Sequence, residues 1–294
     1  MSRLVFSAMG QSRSVPFHIL QAEARSILTL VSGFLAEAGF THSLTPARNC
    51  TFGCSYCYVP TMRVQGGLRP EDWRHWGEFT TFKSNAAELL RRALRPEQVI
   101  YCSPLTDPYQ PAEEQQAMMP GILRAAITAP PRVFVIQTRG PLIVRDLDLL
   151  REMGDRLRVS FSVTTDRDEV RRIFEPHCAT VEERWRTVRV LRDAGISVSV
   201  AMAPILPCDP EVLIEKAAAV SNGPLIADPF HVRAVKRSGA TTREAAARIC
   251  ERHGWNEWLD PAFQRDMLEG MERRARVLGR EFGYGPKGFG LLAR

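Results

Sequence analysis

The sequence lacks the features that mark membrane, secreted and repetitive proteins. No run approaches the roughly 18 apolar residues that a membrane-spanning helix needs, and the N-terminus has no apolar stretch long enough for a secretory signal. A low-complexity linker is absent, and so is any repeat at solenoid spacing. We therefore predict a cytoplasmic protein with no membrane partner.

The composition of the 294 residues is ordinary, with 45% hydrophobic and 24% charged residues. It excludes a disordered or collagen-like chain and allows a core that forms without cross-links. The net charge is +6 at pH 7. This mildly basic balance favours nucleic acid or phosphorylated partners without establishing them.

The cysteines are distributed unevenly. Their number, seven, is odd, and in a large cytosolic protein we expect no disulfide framework. Cys50, Cys54 and Cys57 lie within eight residues, in a loop after a predicted strand. The other four stand far apart and predict no second cluster: Cys102, Cys178, Cys208 and Cys250.

Three thiolates on one short loop, with Gly53 easing the turn, can bind one soft metal centre. A [4Fe–4S] cluster would leave its fourth iron without a protein ligand, which is the open position that a catalytic centre needs. The alternative is a zinc site completed by His42 or a distant cysteine, in a non-catalytic module that binds nucleic acid. The spacing favours iron–sulfur, because no second pair with CxxC spacing exists.

Short β-rich segments alternate with amphipathic helical segments. We predict strands at 42–45, 98–103, 132–138, 157–164, 197–204 and 224–228, and helices at 85–94, 113–128, 144–153, 181–194 and 211–221. Asn85 and Thr180 are candidate N-caps, the latter with Glu183 in a capping box, and Gly195 is a candidate C-cap. The alternation predicts an α/β fold with parallel strands and right-handed crossovers.

Both an open sheet and a partial barrel accommodate six βα units. In either, ligands bind at the carboxyl ends of the strands. Further helices are predicted at 241–253 and 261–278, and the Gly-rich tail at 283–294 is expected to fray or to close over a site. We divide the chain into an N-terminal extension (1–41), the βα region (42–230) and a C-terminal helical extension with the tail (231–294).

The cysteine segment, Cys50-x3-Cys54-x2-Cys57 with Tyr56 before the last cysteine, resembles the signature of the radical SAM superfamily. The likeness extends over about residues 42–230. Segments such as YCSPLTDPYQPAE, VIQTRGPLIVRDLDLL and VSFSVTTDRDEVRRIFEP resemble the branch related to spore photoproduct lyase. This resemblance implies a partial (β/α)6 barrel with additional C-terminal helices.

The resemblance also implies the chemistry. The cofactors would be a [4Fe–4S] cluster and S-adenosylmethionine, with a reducing electron donor of the flavodoxin or ferredoxin type. Reductive cleavage of S-adenosylmethionine would give a 5′-deoxyadenosyl radical that abstracts hydrogen from a nucleic-acid lesion or nucleoside. A small metabolite or peptide in biosynthesis is the alternative substrate. The sequence indicates no oligomeric state.

Cofactor-binding candidates follow from the family pattern at the strand ends. They are Tyr56, Ser103, Thr106, Asp107, Arg139, Ser162 and Thr164. Arg139 falls where related enzymes often place a lysine that pairs with the cofactor carboxylate, and a guanidinium fork can do the same. For Asp107, a turn initiator before Pro108 is the competing interpretation.

Cys102, on the second predicted strand, is the catalytic candidate. In spore photoproduct lyase a cysteine in this region returns hydrogen to the product radical. Relative to the following Thr-Asp, Cys102 is displaced by about two residues, and an even displacement keeps the same face of a strand. The alternative is a buried apolar cysteine.

Overall fold

The computed structural model describes residues 17–61, 75–231 and 244–294. The strands, numbered in chain order, are β1 (His18–Ala22), β2 (Leu28–Leu30), β3 (His42–Leu44), β4 (Ala47–Arg48), β5 (Phe79–Lys83), β6 (Val99–Cys102), β7 (Val133–Thr138), β8 (Leu157–Ser162), β9 (Val198–Met202), β10 (Leu225–Ala227) and β11 (Phe282–Tyr284). The α-helices are α1 (Phe34–Glu37), α2 (Ala86–Ala93), α3 (Glu113–Gln116), α4 (Met118–Thr128), α5 (Leu147–Glu152), α6 (Asp168–Phe174), α7 (Val181–Asp193), α8 (Pro210–Val220), α9 (Glu244–His253), α10 (Pro261–Val277) and α11 (Gly285–Gly290). Short 3-10 helices cover Val59–Thr61, Pro141–Asp146, Gly154–Arg156 and Asn256–Leu259.

An eight-stranded sheet forms the body, in the order β11-β10-β9-β8-β7-β6-β3-β2. All neighbours in it are parallel except β2, which runs antiparallel to β3. The six predicted strands are β3 and β6 to β10, with ends shifted by at most two residues. Helices connect them, so the predicted partial (β/α)6 barrel is confirmed. In the described parts of the chain, no helix is both long and apolar enough to cross a membrane.

A second, three-stranded sheet supports the cysteine loop. Its central strand, β5, pairs in parallel with β1 and antiparallel with β4. β4 ends at Arg48, directly before the loop, and the hydroxyl of Thr80 in β5 donates to the Arg48 carbonyl oxygen at 3.0 Å. The sequence analysis predicted neither β1, β4 nor β5.

Successive side chains of the barrel strands alternate between two cores. Ile100 and Phe134, which are register partners, belong to a large cluster that includes Leu90 of α2 and Ile122 of α4. The opposite face of the same strands carries a smaller cluster: Val99, Tyr101, Val133, Val135 and Ile226. The crossover helices therefore cover the outer face, and the smaller cluster fills the barrel interior.

The C-terminal tail is part of this interior. β11 pairs with β10, and Phe289 and Leu292 pack into the cluster that contains the strand-start residues Val99 and Val133. The expectation that the tail frays or closes over a site is wrong. Its apolar side chains close the amino end of the barrel, opposite the carboxyl ends where ligands bind.

The predicted caps have different outcomes. The capping box of Thr180 and Glu183 is present, and Gly195 has the left-handed φ of 82° that a helix C-terminus favours. Asn85 is not a side-chain cap, because its amide exchanges two hydrogen bonds with the backbone of Ala24.

The predicted helix 113–128 is broken at Ala117, whose φ is 48°. Pro120 follows three residues later and has no N–H for a continuous helix, so the chain starts a new helix there. Residues 144–153 begin as a 3-10 turn and become α-helical only from Leu147. Within 241–253, residues 241–243 lie outside the described residues.

Candidate active site

The cysteine loop bends tightly between β4 and the 3-10 turn at Val59–Thr61. Asn49 and Gly53 adopt left-handed φ angles of 65° and 62°. A Cβ on Gly53 would lie 3.2 Å from both the Gly77 Cα and the His177 Cδ2. Glycine is therefore needed at position 53 for its backbone conformation and for close packing.

Gln110 anchors this loop from the segment after β6. Its amide oxygen accepts from the Thr51 N–H at 2.7 Å and from the Thr51 hydroxyl at 3.1 Å. Its amide nitrogen donates to the hydroxyls of Thr106 and Thr80 at 3.1 and 3.2 Å. Thr106 donates in turn to the Asn49 carbonyl oxygen at 2.6 Å. The predicted cofactor residue Thr106 thus holds the backbone beside Cys50.

Asp107 connects the segment after β6 to the end of β7. One carboxylate oxygen accepts from the Tyr109 N–H at 2.9 Å and from the Thr138 hydroxyl at 2.6 Å. The other accepts from the Arg139 N–H at 2.8 Å. Burial raises the pKa of Asp107, and these hydrogen bonds offset the rise only in part. Its contact with Tyr109, two residues on, agrees with the turn-initiator interpretation.

Arg139 extends from the end of β7 to the cysteine loop. Its guanidinium Nη1 lies 3.5 Å from the Cys54 sulfur and contacts both the Tyr56 hydroxyl and a Glu175 oxygen. The guanidinium also lies 5.7 Å from the centre of the Tyr56 ring. The structure thus brings together two predicted cofactor residues and one of the predicted metal ligands.

Glu175, directly after α6, is the centre of this network. The Tyr56 hydroxyl donates to it at 2.5 Å and the Thr164 hydroxyl at 2.9 Å. The second carboxylate oxygen forms an ion pair with Arg184, and both side chains are fully buried. Burial opposes ionisation of Glu175, but the guanidinium groups of Arg184 and Arg139 outweigh it and lower its pKa to about 2.

The three thiols of the loop stand in different surroundings. None of them forms a disulfide bond; Cys50 and Cys54 are buried and Cys57 is partly exposed. A hydrogen bond from the Cys178 thiol lowers the pKa of Cys54 against the effect of burial, and Arg139 lowers it further. Burial raises the pKa of Cys50, and nearby Asp107 adds to the rise.

Cys102 lies on the outer face of β6. It is fully buried, and its register partners are Leu44 and Ile136, which belong to the cluster formed with the crossover helices. Tyr101 points to the opposite face, and its hydroxyl donates to Gln137 at 2.8 Å. This placement agrees with the buried apolar cysteine rather than with a donor that faces a substrate in the barrel.

The two remaining predicted residues differ in their hydrogen bonding. Ser162 lies on the same face as Gln137, whose amide donates to the Ser162 hydroxyl at 2.6 Å. The hydroxyl of Ser103 is buried and has no hydrogen-bond partner within the described part of the chain. An unpartnered buried hydroxyl beside the loop is available to a bound cofactor.

The sequence analysis missed Glu175, Arg184 and Gln110. Arg184 falls on the apolar stripe of α7, between Val181 and Val188, and a charged residue at such a position is a signal for a buried ion pair. Glu175 carries no comparable signal, because it lies in a connection between two helices.

Residues 44–218 match the radical SAM superfamily. This is more than half of the chain, and the chain belongs to that superfamily, whose members use a [4Fe–4S] cluster and S-adenosylmethionine. Membership favours the iron–sulfur interpretation over the zinc module. The donor set fits such a cluster, since three cysteines that form no disulfide bond lie on one loop and thiolates are the ligands of iron–sulfur centres. Among the described residues, no three His, Cys, Asp or Glu side chains are grouped so that they could hold one metal ion. In a [4Fe–4S] cluster each thiolate binds a different iron, so the three thiols need not converge on a single ion.

The chain is similar to an uncharacterized protein of Mycobacterium tuberculosis, with 32% identity over 182 residues, 58% of this chain and 52% of the relative. It is also similar to an uncharacterized protein of the Acidianus two-tailed virus, with 27% identity over 206 residues, 65% of this chain and 67% of the relative. The chain spans about half the length of the mycobacterial relative.

The fold is similar to that of a spore photoproduct lyase double mutant solved with bound AdoMet and dinucleoside spore photoproduct. The TM-score is 0.65 at 14% sequence identity, over 96% of this chain and 87% of that one. At this identity the likeness shows the fold, and it includes the regions outside the superfamily match.

Proposed function

We propose that this chain is a radical SAM enzyme whose [4Fe–4S] cluster is held by Cys50, Cys54 and Cys57, and whose substrate is a nucleic-acid lesion or a nucleoside. The observation that carries the proposal is the loop with its three cysteines, none of them in a disulfide bond, which contacts residues that follow the carboxyl ends of β6 and β7. Ligands of parallel α/β folds bind at that end.

The substrate class rests on two weaker supports. The similar fold extends over nearly the whole chain, and that spore photoproduct lyase was solved with a dinucleoside lesion. The net charge of +6 favours a polyanionic partner. When bound, the cluster and S-adenosylmethionine supply a 5′-deoxyadenosyl radical that abstracts hydrogen from the substrate, after an external low-potential donor has provided one electron.

The side chains of the site divide into those that bind and those that position. Arg139, with 15% of its side chain exposed, would pair with the carboxylate of S-adenosylmethionine. Ser103 offers its free hydroxyl to the same cofactor. Thr106 and Asp107 are positioning residues, because their side chains hold the cysteine loop and the end of β7.

An anaerobic turnover assay tests the proposal. The protein is reconstituted with iron and sulfide and given S-adenosylmethionine and dithionite, together with oligonucleotides that carry spore photoproduct deuterated at the reacting carbon. We expect 5′-deoxyadenosine that contains deuterium, and none from the Cys54→Ala variant.

The outcomes separate the two parts of the proposal. Formation of unlabelled 5′-deoxyadenosine supports the cofactor chemistry and contradicts this lesion as the substrate. Screens of other damaged oligonucleotides and nucleosides then follow, and labelled product from a small metabolite or peptide alone would assign the alternative substrate. A protein with a full [4Fe–4S] cluster that cleaves no S-adenosylmethionine with any of these substrates contradicts the enzyme itself.

A further inference from the structure

The network around Glu175 carries one uncompensated positive charge. Arg139 and Arg184 contribute two guanidinium groups, and Glu175 contributes the only carboxylate with which these two form ion pairs among the described residues. Two positive charges against one negative charge leave the network cationic.

The positive charge of this network is fixed by contacts among its buried side chains. Glu175 and Arg184 are fully buried, and Arg184 lies on the buried, apolar stripe of α7. Thr164 and Tyr56 fix the Glu175 oxygen that also binds Arg139. Because Arg184 neutralises Glu175, the carboxylate can hold the Arg139 guanidinium while the charge of that guanidinium remains available to another group.

The other group within reach is the sulfur of Cys54, 3.5 Å from Nη1 of Arg139. Hydrogen bonds to ligand sulfurs and the net charge nearby are two of the factors that set the potential of an iron–sulfur cluster. Reduction adds one electron, taken from an external low-potential donor, and so adds one negative charge beside Arg139. A fixed cation at the ligand sulfur stabilises the reduced form more than the oxidised form.

We propose that the positive charge of Arg139 beside the Cys54 sulfur raises the reduction potential of the cluster, and that the carboxylate of Glu175, which binds Arg139, partly offsets this effect. This inference rests on the proposed function, since it takes Cys54 as a cluster ligand. It concerns the protein before S-adenosylmethionine binds, when Arg139 has no cofactor carboxylate to pair with.

The test is a potentiometric titration of the reconstituted protein without S-adenosylmethionine, followed by the EPR signal of the reduced cluster. In Arg139→Gln we expect the ratio of reduced to oxidised cluster at a fixed potential to fall about tenfold, which is about 59 mV for a one-electron couple. In Glu175→Gln, which removes a negative charge, we expect that ratio to rise. Arg139→Lys retains the charge and should lie between wild type and Arg139→Gln.

Arg145→Gln is the matched control, because Arg145 is also a partly buried arginine in an ion pair with a fully buried glutamate. It should leave the potential unchanged. Should Glu175→Gln fail to fold, the comparison of Arg139→Gln with Arg139→Lys still decides the question.

Shifts of the same sign in Arg139→Gln and Glu175→Gln would indicate loosened structure and overturn the inference. An unshifted potential in Arg139→Gln, or an equal shift in Arg145→Gln, overturns it as well. These failures leave the proposed function intact. A wild-type protein that assembles no cluster, or a Cys54→Ala variant that assembles one normally, contradicts the proposed function itself.

Discussion

Two buried ion clusters in this protein have opposite charge and different surroundings. One consists of Glu175 with two arginines, Arg139 and Arg184, beside the cysteine loop. The other consists of Arg145 with two acids, Glu113 and Asp146, and connects α3 to the turn before α5. Both glutamate side chains are fully buried.

The number of guanidinium groups decides how each glutamate ionises. Two of them lower the pKa of Glu175 to about 2 in spite of its burial. For Glu113, burial outweighs the hydrogen bonds from Arg145 and from the Met119 N–H, and the pKa is raised. The two glutamates therefore have pKa shifts of opposite sign. The ion cluster with surplus positive charge, the one around Glu175, contacts the proposed metal ligand Cys54 through Arg139.

The largest difference between the two regions is expected in stability. Glu175→Gln leaves two buried guanidinium groups without a counter-ion, and we expect a loss of about 3–5 kcal/mol in the free energy of unfolding. Glu113→Gln leaves Arg145 paired with Asp146, with bonds of 2.8 and 2.9 Å. Its loss should be below about 1 kcal/mol, because burial already disfavours the ionised form of Glu113 and a glutamine amide oxygen can accept the same hydrogen bonds. Urea unfolding of the two apoproteins measures both values, and equal losses would contradict the distinction.

The pH dependence of the free energy of unfolding distinguishes the two glutamates further. Because the pKa of Glu175 is lowered from 4.5 to about 2 by folding, its ionisation stabilises the protein above pH 4.5 and this contribution is lost as the pH falls towards 2. The loss amounts to about 3 kcal/mol. Glu113, with its raised pKa, behaves in the opposite way, because ionisation destabilises the fold and protonation relieves this as the pH falls.

Unfolding experiments at a series of acidic pH values check this sign. Stability of the wild type should decline as the pH falls below about 4.5, and Glu175→Gln should decline less steeply. Glu113→Gln should decline more steeply than the wild type. Parallel curves for all three proteins would show that neither glutamate has the ionisation described here.

The smallest effect concerns a single hydrogen bond. Thr164→Val removes the hydroxyl that donates to Glu175 at 2.9 Å, and we expect a loss of about 1 kcal/mol. Thr187→Val is the control, since Thr187 is also buried but bonds only to the carbonyl oxygen of Glu183 in its own helix. That variant should change stability by less than about 0.5 kcal/mol. If the two variants lose the same free energy, the hydroxyl of Thr164 adds nothing specific to the network.

Much of the fold could be predicted because it depends on local patterns. The six barrel strands and most helices follow from apolar periodicity, and the capping box of Thr180 with Glu183 follows from two residues three positions apart. The break at Ala117 was not predicted, although Pro120, three residues later, disfavours a continuous helix through this segment. The pairing of β11 with β10 has no local signature, because Gly-rich segments read as loops.

The site was predictable only in part, for a similar reason. The cysteine spacing is local and identified the loop. The network around Glu175 joins residues 119 positions apart in the chain, as in the hydrogen bond from Tyr56. A single sequence does not show that Glu175 and Arg184 meet. The serine and threonine candidates lie at or after strand ends, as predicted. Whether the hydroxyl of each binds the backbone, binds another side chain or lacks a partner depends on residues from distant segments.

The most direct test of the account is the iron and sulfide content of the anaerobically reconstituted protein. The account predicts about four irons and four sulfides per chain in the wild type. It predicts loss of the cluster in Cys50→Ala, Cys54→Ala and Cys57→Ala, and a full cluster in the matched variant Cys250→Ala, which replaces a buried cysteine of α9. A full cluster in any variant of the loop cysteines, or its loss in Cys250→Ala, would contradict the assignment of the loop as the cluster site.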